Sequence, residues 1–110
     1  VPNLLWIFGY FRASWTLRVE LLADFVCRLL AHMEEKGATR VDVTLRPEDE
    51  DMELLSWMDP ENFSPGYLMR AMDLLPRRGD KPEWQHTQDY WREKDEIPAI
   101  DLDGPEFVYG

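Results

Sequence analysis

The sequence predicts a small α+β fold that is mostly helical, and three observations carry that prediction. An apolar run, Leu4-Leu5-Trp6-Ile7-Phe8, is closed by Gly9, as in a short strand buried on both faces. Leu22, Phe25, Val26, Leu29, Leu30 and Met33 recur at spacings of 3, 1, 3, 1 and 3, the broad stripe of an amphipathic helix. Val41, Val43 and Leu45 alternate with Asp42, Thr44 and Arg46, the pattern of a strand covered on one face only. At 110 residues the chain has the length of one domain.

The elements follow in order. Ser14 stands where a helix N-cap belongs, and Gly37 is a natural stop for the long helix. Within that helix Asp24 and Arg28 lie four apart and are placed to pair. Cys27 falls near the apolar face, and His32 sits near the C-terminal end, where the helix dipole favours a cation. Pro47 ends the half-exposed strand. Leu54-Leu55-Ser56-Trp57-Met58 is either a second short strand or a turn of helix. A second helix begins at Ser64 with Pro65 at its first position, carries Leu68, Met72 and Leu75 on its stripe, and stops at Pro76. A third starts with Asp80 as cap and Glu83 three residues on, placing Trp84, Gln88 and Trp91 on one side. From Ile97 onward an extended tail is expected, packing Ile100, Phe107 and Tyr109 against the rest.

Charge and composition narrow the function. Twelve Lys+Arg against 22 Asp+Glu give a net charge of −10, which argues against nucleic acid as a partner, since phosphate-backbone affinity rests on basic side chains. Hydrophobic residues at 45% suffice for a packed core. A single cysteine cannot form an intrachain disulfide, as befits a reducing cytoplasm. The longest apolar run, Leu4 to Phe8, is far short of a transmembrane segment, which needs about 20 residues. The chain opens with Val1-Pro2 and enters a core-like strand at once, so the expectation is a fragment of a longer protein.

Most catalytic constellations are missing. The six glycines never form G-x-G, which excludes a dinucleotide fingerprint and a P-loop within the chain. One Cys and two distant His, His32 and His86, give no zinc spacing. The acidic run from Glu48 to Glu53 lacks the alternating register that wraps Ca²⁺ and reads as a solvated loop. Asp101 and Asp103 form a candidate carboxylate pair with no pocket residues beside them. Trp84, Tyr90 and Trp91 read as core or interface anchors. No residue earns a catalytic or metal-binding assignment. The loop from Tyr10 to Trp15 is the exception of interest. A strand feeding a helix aims backbone N–H groups and the positive end of the dipole at whatever lies above Ser14, although an ordinary strand–helix turn has the same pattern.

Taken in order, Asn3-Leu4-Leu5-Trp6, Gly9-Tyr10 and Ala13-Ser14-Trp15-Thr16-Leu17-Arg18 resemble the late segment of class B flavoprotein monooxygenases, of the Baeyer–Villiger and ethionamide-activating type. Pro65-Gly66-Tyr67, Leu74-Leu75-Pro76, Gly79, Pro82, Trp84 and Gln88-Asp89-Tyr90 are similar to that group's C-terminal extension. The resemblance implies an enzyme using FAD and NADPH, in which a flavin C4a-peroxide oxidises a small organic substrate at a carbonyl, sulfur or nitrogen. It implies that residues 1–37 are the last strand and helix of the FAD-binding domain and 38–110 the C-terminal extension. The chain is then part of a larger fold with two dinucleotide domains, which lie upstream and are its partners in the same polypeptide. Arg12, Ala13, Ser14 and Trp15 would lie near the flavin, with Arg12 departing from the Asn usual there. The chain alone would be inactive, would bind no cofactor, and would self-associate through its bare apolar strand. The rival expectation is a stand-alone acidic protein-interaction module.

Overall fold

A computed structural model describes residues 3–110. Among them are three α-helices, α1 (Trp15–Lys36), α2 (Gly66–Ala71) and α3 (Tyr90–Glu96), and four short strands, β1 (Val41–Val43), β2 (Leu54–Leu55), β3 (Arg78–Gly79) and β4 (Phe107–Tyr109). The strands form two antiparallel pairs, β1 with β4 and β2 with β3. The result is α+β, as expected, with one long helix, two short ones and short antiparallel strands. The chain divides into two compact units, one built from residues 1–47 and 88–110 and the other from 48–87.

In the first unit α1 dominates. Gly37 terminates it with φ 66°, and the N–H groups of Gly37 and Ala38 return to the carbonyls of Glu34 and Met33. That double closure requires a left-handed residue, which glycine adopts without steric cost. The stripe of Leu22, Phe25, Val26, Leu29 and Met33 is only half-buried, and Leu30 is exposed. Arg28 reaches the carbonyls of Ile97 and Ile100, in the turn that follows α3, instead of pairing with Asp24. Cys27 is exposed, one step round the helix from the stripe, and not near a buried face.

β1 pairs with β4 in the register Val41↔Tyr109, Asp42↔Val108 and Val43↔Phe107. Gly110 and Arg40 exchange backbone hydrogen bonds beyond it, and Thr44 donates to Glu106. The segment after Ile97 is therefore not a featureless extended tail. Its prolines and glycine shape turns, and the Phe-Val-Tyr stretch is a β-former that supplies the partner β1 needs. The core consists of Tyr10, Ile97 and Leu102 with the charged pair Arg18 and Glu93.

The Leu4–Phe8 run departs from expectation most. It has no regular secondary structure and belongs to neither strand pair, and Leu4 is 66% and Leu5 59% exposed. A strand buried on both faces needs neighbours to pair its backbone and cover its sides, and no described segment supplies them.

In the second unit, a 3-10 turn at Pro47–Asp49 leads to β2, so Leu54-Leu55 is the strand alternative. Trp57 and Met58 are its buried apolar residues. Pro65 is the N-cap of α2 and not its first helical residue, so the helix starts one residue later than expected, at Gly66; it tightens into a 3-10 turn, Met72–Leu74, before Pro76. Arg78 donates to the Ser56 carbonyl at 2.8 Å, and His86 Nε2 donates to that of Trp57 at 2.7 Å. The helix expected from Asp80 is instead a single 3-10 turn, Pro82–Trp84. Regular helix starts later, at α3 in the first unit, where the Asp89 carboxylate accepts from the Trp91 N–H at 3.1 Å. The expected Asp80 cap does not form: the 3-10 turn has Lys81 at its N-cap with no side-chain cap bond, and Asp89 caps α3 instead.

Candidate functional site

The turn that leads into α1 is clamped from beneath. Arg18, one turn inside the helix, is its only buried residue, and Nη1 donates to the Phe8 carbonyl at 2.9 Å. Its guanidinium lies 4.4 Å from the centre of the Phe8 ring and makes three hydrogen bonds to Glu93 of α3, of 3.2–3.3 Å. Such a planar fork suits a carboxylate in two-pronged contact, and burying both partners together avoids an isolated buried charge.

Gln88 supplies the second clamp. Its Oε1 accepts from the Phe11 N–H at 3.0 Å, and its Nε2 donates to the Gly9 carbonyl at 3.2 Å. Tyr10, between these two residues, is 2% exposed and meets Tyr90 edge-on with ring centres 6.0 Å apart. Its hydroxyl is buried without a hydrogen bond of good geometry. Burial, and then the nearby Glu93 carboxylate, push its ionisation well above the usual tyrosine range.

Gly9 lets the chain pass close to the helix. A Cβ at this position would overlap both the Trp15 carbonyl and the Trp15 indole. The indole in turn packs against Phe11, ring centres 5.9 Å apart.

Above these anchors the expected site residues, Arg12, Ala13, Ser14 and Trp15, all stand exposed. Ser14 takes the N-cap position, but its hydroxyl bonds the Thr16 hydroxyl at 3.1 Å and does not close onto a backbone N–H. The first turn of α1 carries no acidic side chain. This helix end therefore keeps its donor character and its positive dipole, a setting suited to negative charge on a ligand.

Sequence reasoning singled out the turn but missed Gln88, Arg18 and Glu93. Gln88 and Glu93 lie more than 70 residues downstream, and only an unusual buried Arg–Glu pair or a residue at positive φ marks them, neither visible in sequence. The other candidates lead elsewhere. Asp101 and Asp103 are not a catalytic pair: the Asp101 carboxylate accepts from the Asp103 N–H, while Asp103 binds His32 at 2.9 Å and Lys36 at 2.8 Å. That contact gives His32 its structural role at the end of α1. Lys36, hydrogen-bonded to Asp103, has its pKa raised, and the hydrogen bonds from Lys36 and then His32 hold Asp103 below the usual carboxylate range. In the acidic run, Asp49 is not solvated but 2% exposed, with Lys81 Nζ 4.0 Å away. Among the described residues no group of three or more His, Cys, Asp or Glu could hold a metal ion, and no helix is long and apolar enough to cross a membrane. Tyr90 is in contact with Tyr10 and Trp91, whereas Trp91 is 76% exposed.

Known proteins give this geometry a context. No family model matches the chain, and no solved structure does. Over 91 residues it is 43% identical to the FAD-containing monooxygenase EthA of Mycolicibacterium smegmatis, covering 83% of this chain and 18% of that protein. EthA of Mycobacterium tuberculosis is 41% identical over 93 residues, with 84% of this chain and 18% of that protein covered. A protein of Acinetobacter sp., described as "Probable FAD-binding monooxygenase AlmA", is 35% identical over 97 residues, 88% of this chain and 19% of its own length. The chain thus spans about a fifth of the length of the curated relatives it matches. It is homologous to the C-terminal segment of the EthA-type flavoprotein monooxygenases.

Proposed function

We propose that this chain is the C-terminal part of an FAD- and NADPH-dependent monooxygenase that carries out Baeyer–Villiger or heteroatom oxygenation of a small organic molecule. The observation that carries the reading is the clamped turn ahead of α1, found in a segment homologous to FAD-containing monooxygenases. Residues 1–37 would complete the FAD-binding domain, with Leu4–Phe8 joining its sheet, and residues 38–110 would form the extension.

The residues present fit a flavin. An uncapped helix end with no acidic side chain in its first turn offers backbone donors to the pyrimidine edge, where negative charge develops on reduction. Arg12, Ala13, Ser14 and Trp15 would hold that edge. When bound, FAD supplies the redox chemistry, using electrons from NADPH to place one oxygen atom of O₂ in the substrate. The chain's own part is electrostatic and steric. The N–H groups of the first turn and the α1 dipole oppose the negative charge, and Arg12 adds a cation beside them. Trp15, with Phe11 against it, forms an apolar wall that limits water. The extension would shape access for the substrate.

Alone, the 110-residue chain would be inactive, and its exposed Leu4, Leu5 and Trp6 would drive self-association. The test is the native-length protein. Bound FAD absorbance with NADPH oxidation supports the reading, and slower flavin reduction in Ser14→Asp, which places a negative charge at the helix end, would tie it to this turn. A native product of this size that binds no flavin would refute it and favour a stand-alone interaction module.

A further inference from the structure

Gln88 holds its backbone at φ 57°, in the left-handed region. A residue with a Cβ is disfavoured there, and glycine or asparagine adopts the region more readily. The Gln side chain does something that glycine cannot do and that asparagine is one methylene too short to do from the same place. It reaches the carbonyl of Gly9 and the N–H of Phe11 together, at 3.2 and 3.0 Å.

In an extended chain the carbonyl of one residue and the N–H two residues on face the same edge. A single amide that bonds both does here, at Gly9 and Phe11, what a neighbouring strand would do. Arg18 fixes the preceding carbonyl, that of Phe8, and is itself fixed by Glu93, five residues beyond Gln88. Tyr10 is buried between the two clamps. The backbone from Phe8 to Phe11 is thus tied both to α1 and to the segment that enters α3, while Arg12–Ser14 are exposed.

We infer that Gln88, braced by the Arg18–Glu93 pair, is the positioning residue of the flavin-facing turn. It touches neither flavin nor substrate and acts through the backbone, holding the first N–H groups of α1 at the place where reduced-flavin charge develops. The inference rests on the reading of this turn as the flavin site.

The test uses the native-length protein with Gln88→Gly and Gln88→Glu. The glycine variant keeps the left-handed backbone and removes the amide. The glutamate variant keeps an acceptor for Phe11 but loses the donor to Gly9. Amide exchange over residues 8–15, flavin midpoint potential, and kcat and KM for NADPH are measured on each. With Gln88→Gly, exchange at Phe11 is expected to rise at least about tenfold, as loss of two partly buried hydrogen bonds implies. The flavin potential moves to more negative values and kcat falls, while KM for NADPH stays close to wild type; Gln88→Glu lies between. A merely structural role would raise exchange and leave the potential of the folded, flavin-loaded protein unmoved, and that result overturns the inference while sparing the flavin reading. Unchanged exchange overturns it as well. A native-length wild-type protein without flavin removes both.

Discussion

Arg18 and Glu93 form a buried ion pair, 3.2 Å apart and 75 positions distant in sequence, with both side chains no more than 7% exposed. The pair joins α1 to α3 beneath the turn that carries the candidate site. Arg18→Met leaves Glu93 as an uncompensated buried charge and is expected to destabilise the chain by about 3–5 kcal/mol. The double variant Arg18→Met/Glu93→Leu should recover most of that loss. Urea unfolding of the three proteins measures both, and equal midpoints for the single and double variants would contradict the account.

Gly9→Ala adds a methyl group where the Trp15 carbonyl and indole already stand. Both neighbours are fixed at the start of a long helix, so the chain must shift. The expected cost is about 1–3 kcal/mol, with a change in tryptophan emission as the Trp15 ring moves. Gly110→Ala, which meets nothing, is the control and should be silent.

Asp89→Ala removes the carboxylate that accepts from the Trp91 N–H. A lost N-cap costs about 1 kcal/mol. Because α3 is only seven residues long, the loss should also appear as fraying. Faster amide exchange at Trp91 and Arg92, ahead of the rest of the unit, is the signature to seek.

The end of the chain should loosen at both extremes of pH. Asp103 lies below its ordinary pKa because Lys36 and then His32 hydrogen-bond it, so its contribution is complete above the normal carboxylate range and disappears as pH falls through the lowered value. Lys36 lies above its ordinary pKa because of Asp103, so its contribution is complete below about pH 10 and disappears as pH rises through the raised value. Tyr10, raised first by burial and then by Glu93, adds to the alkaline loss. Protection of the Thr39 and Arg40 amides, both bonded to the Gly110 carbonyl, measured against their intrinsic exchange rates at each pH, is expected to be greatest between these limits. In Asp103→Asn the acid arm should flatten.

Self-association is expected of the isolated chain, through Leu4–Ile7. Sedimentation should show mass rising with concentration, and Leu5→Glu/Trp6→Glu should return the chain to monomer. A wild-type monomer at high concentration would contradict it.

Much of the local structure was legible because its causes are local. The stripe from Leu22 to Met33, the Gly37 stop and the Val41–Val43 strand are set by residues a few positions apart. Leu4–Phe8 misled for a physical reason: a run of apolar residues states that it should be buried, not what should bury it. The tail misled in the opposite sense, since prolines and a glycine before Phe107 concealed a strand whose partner lies more than 60 residues away. In the site, the turn was readable and its clamps were not. Gln88 looks like any polar surface residue until its left-handed backbone and the Gly9 and Phe11 contacts are seen.

The first unit takes its pieces from both ends of the chain, residues 1–47 and 88–110. During synthesis, at about 5–20 residues per second, α1 emerges well before Glu93 exists to meet Arg18, and β1 waits until Phe107–Tyr109 has been made. Closure of this unit therefore waits until Phe107–Tyr109 has left the ribosome. A message cut short before Phe107 would leave β1 without its partner and with a bare edge, open to pairing with other chains.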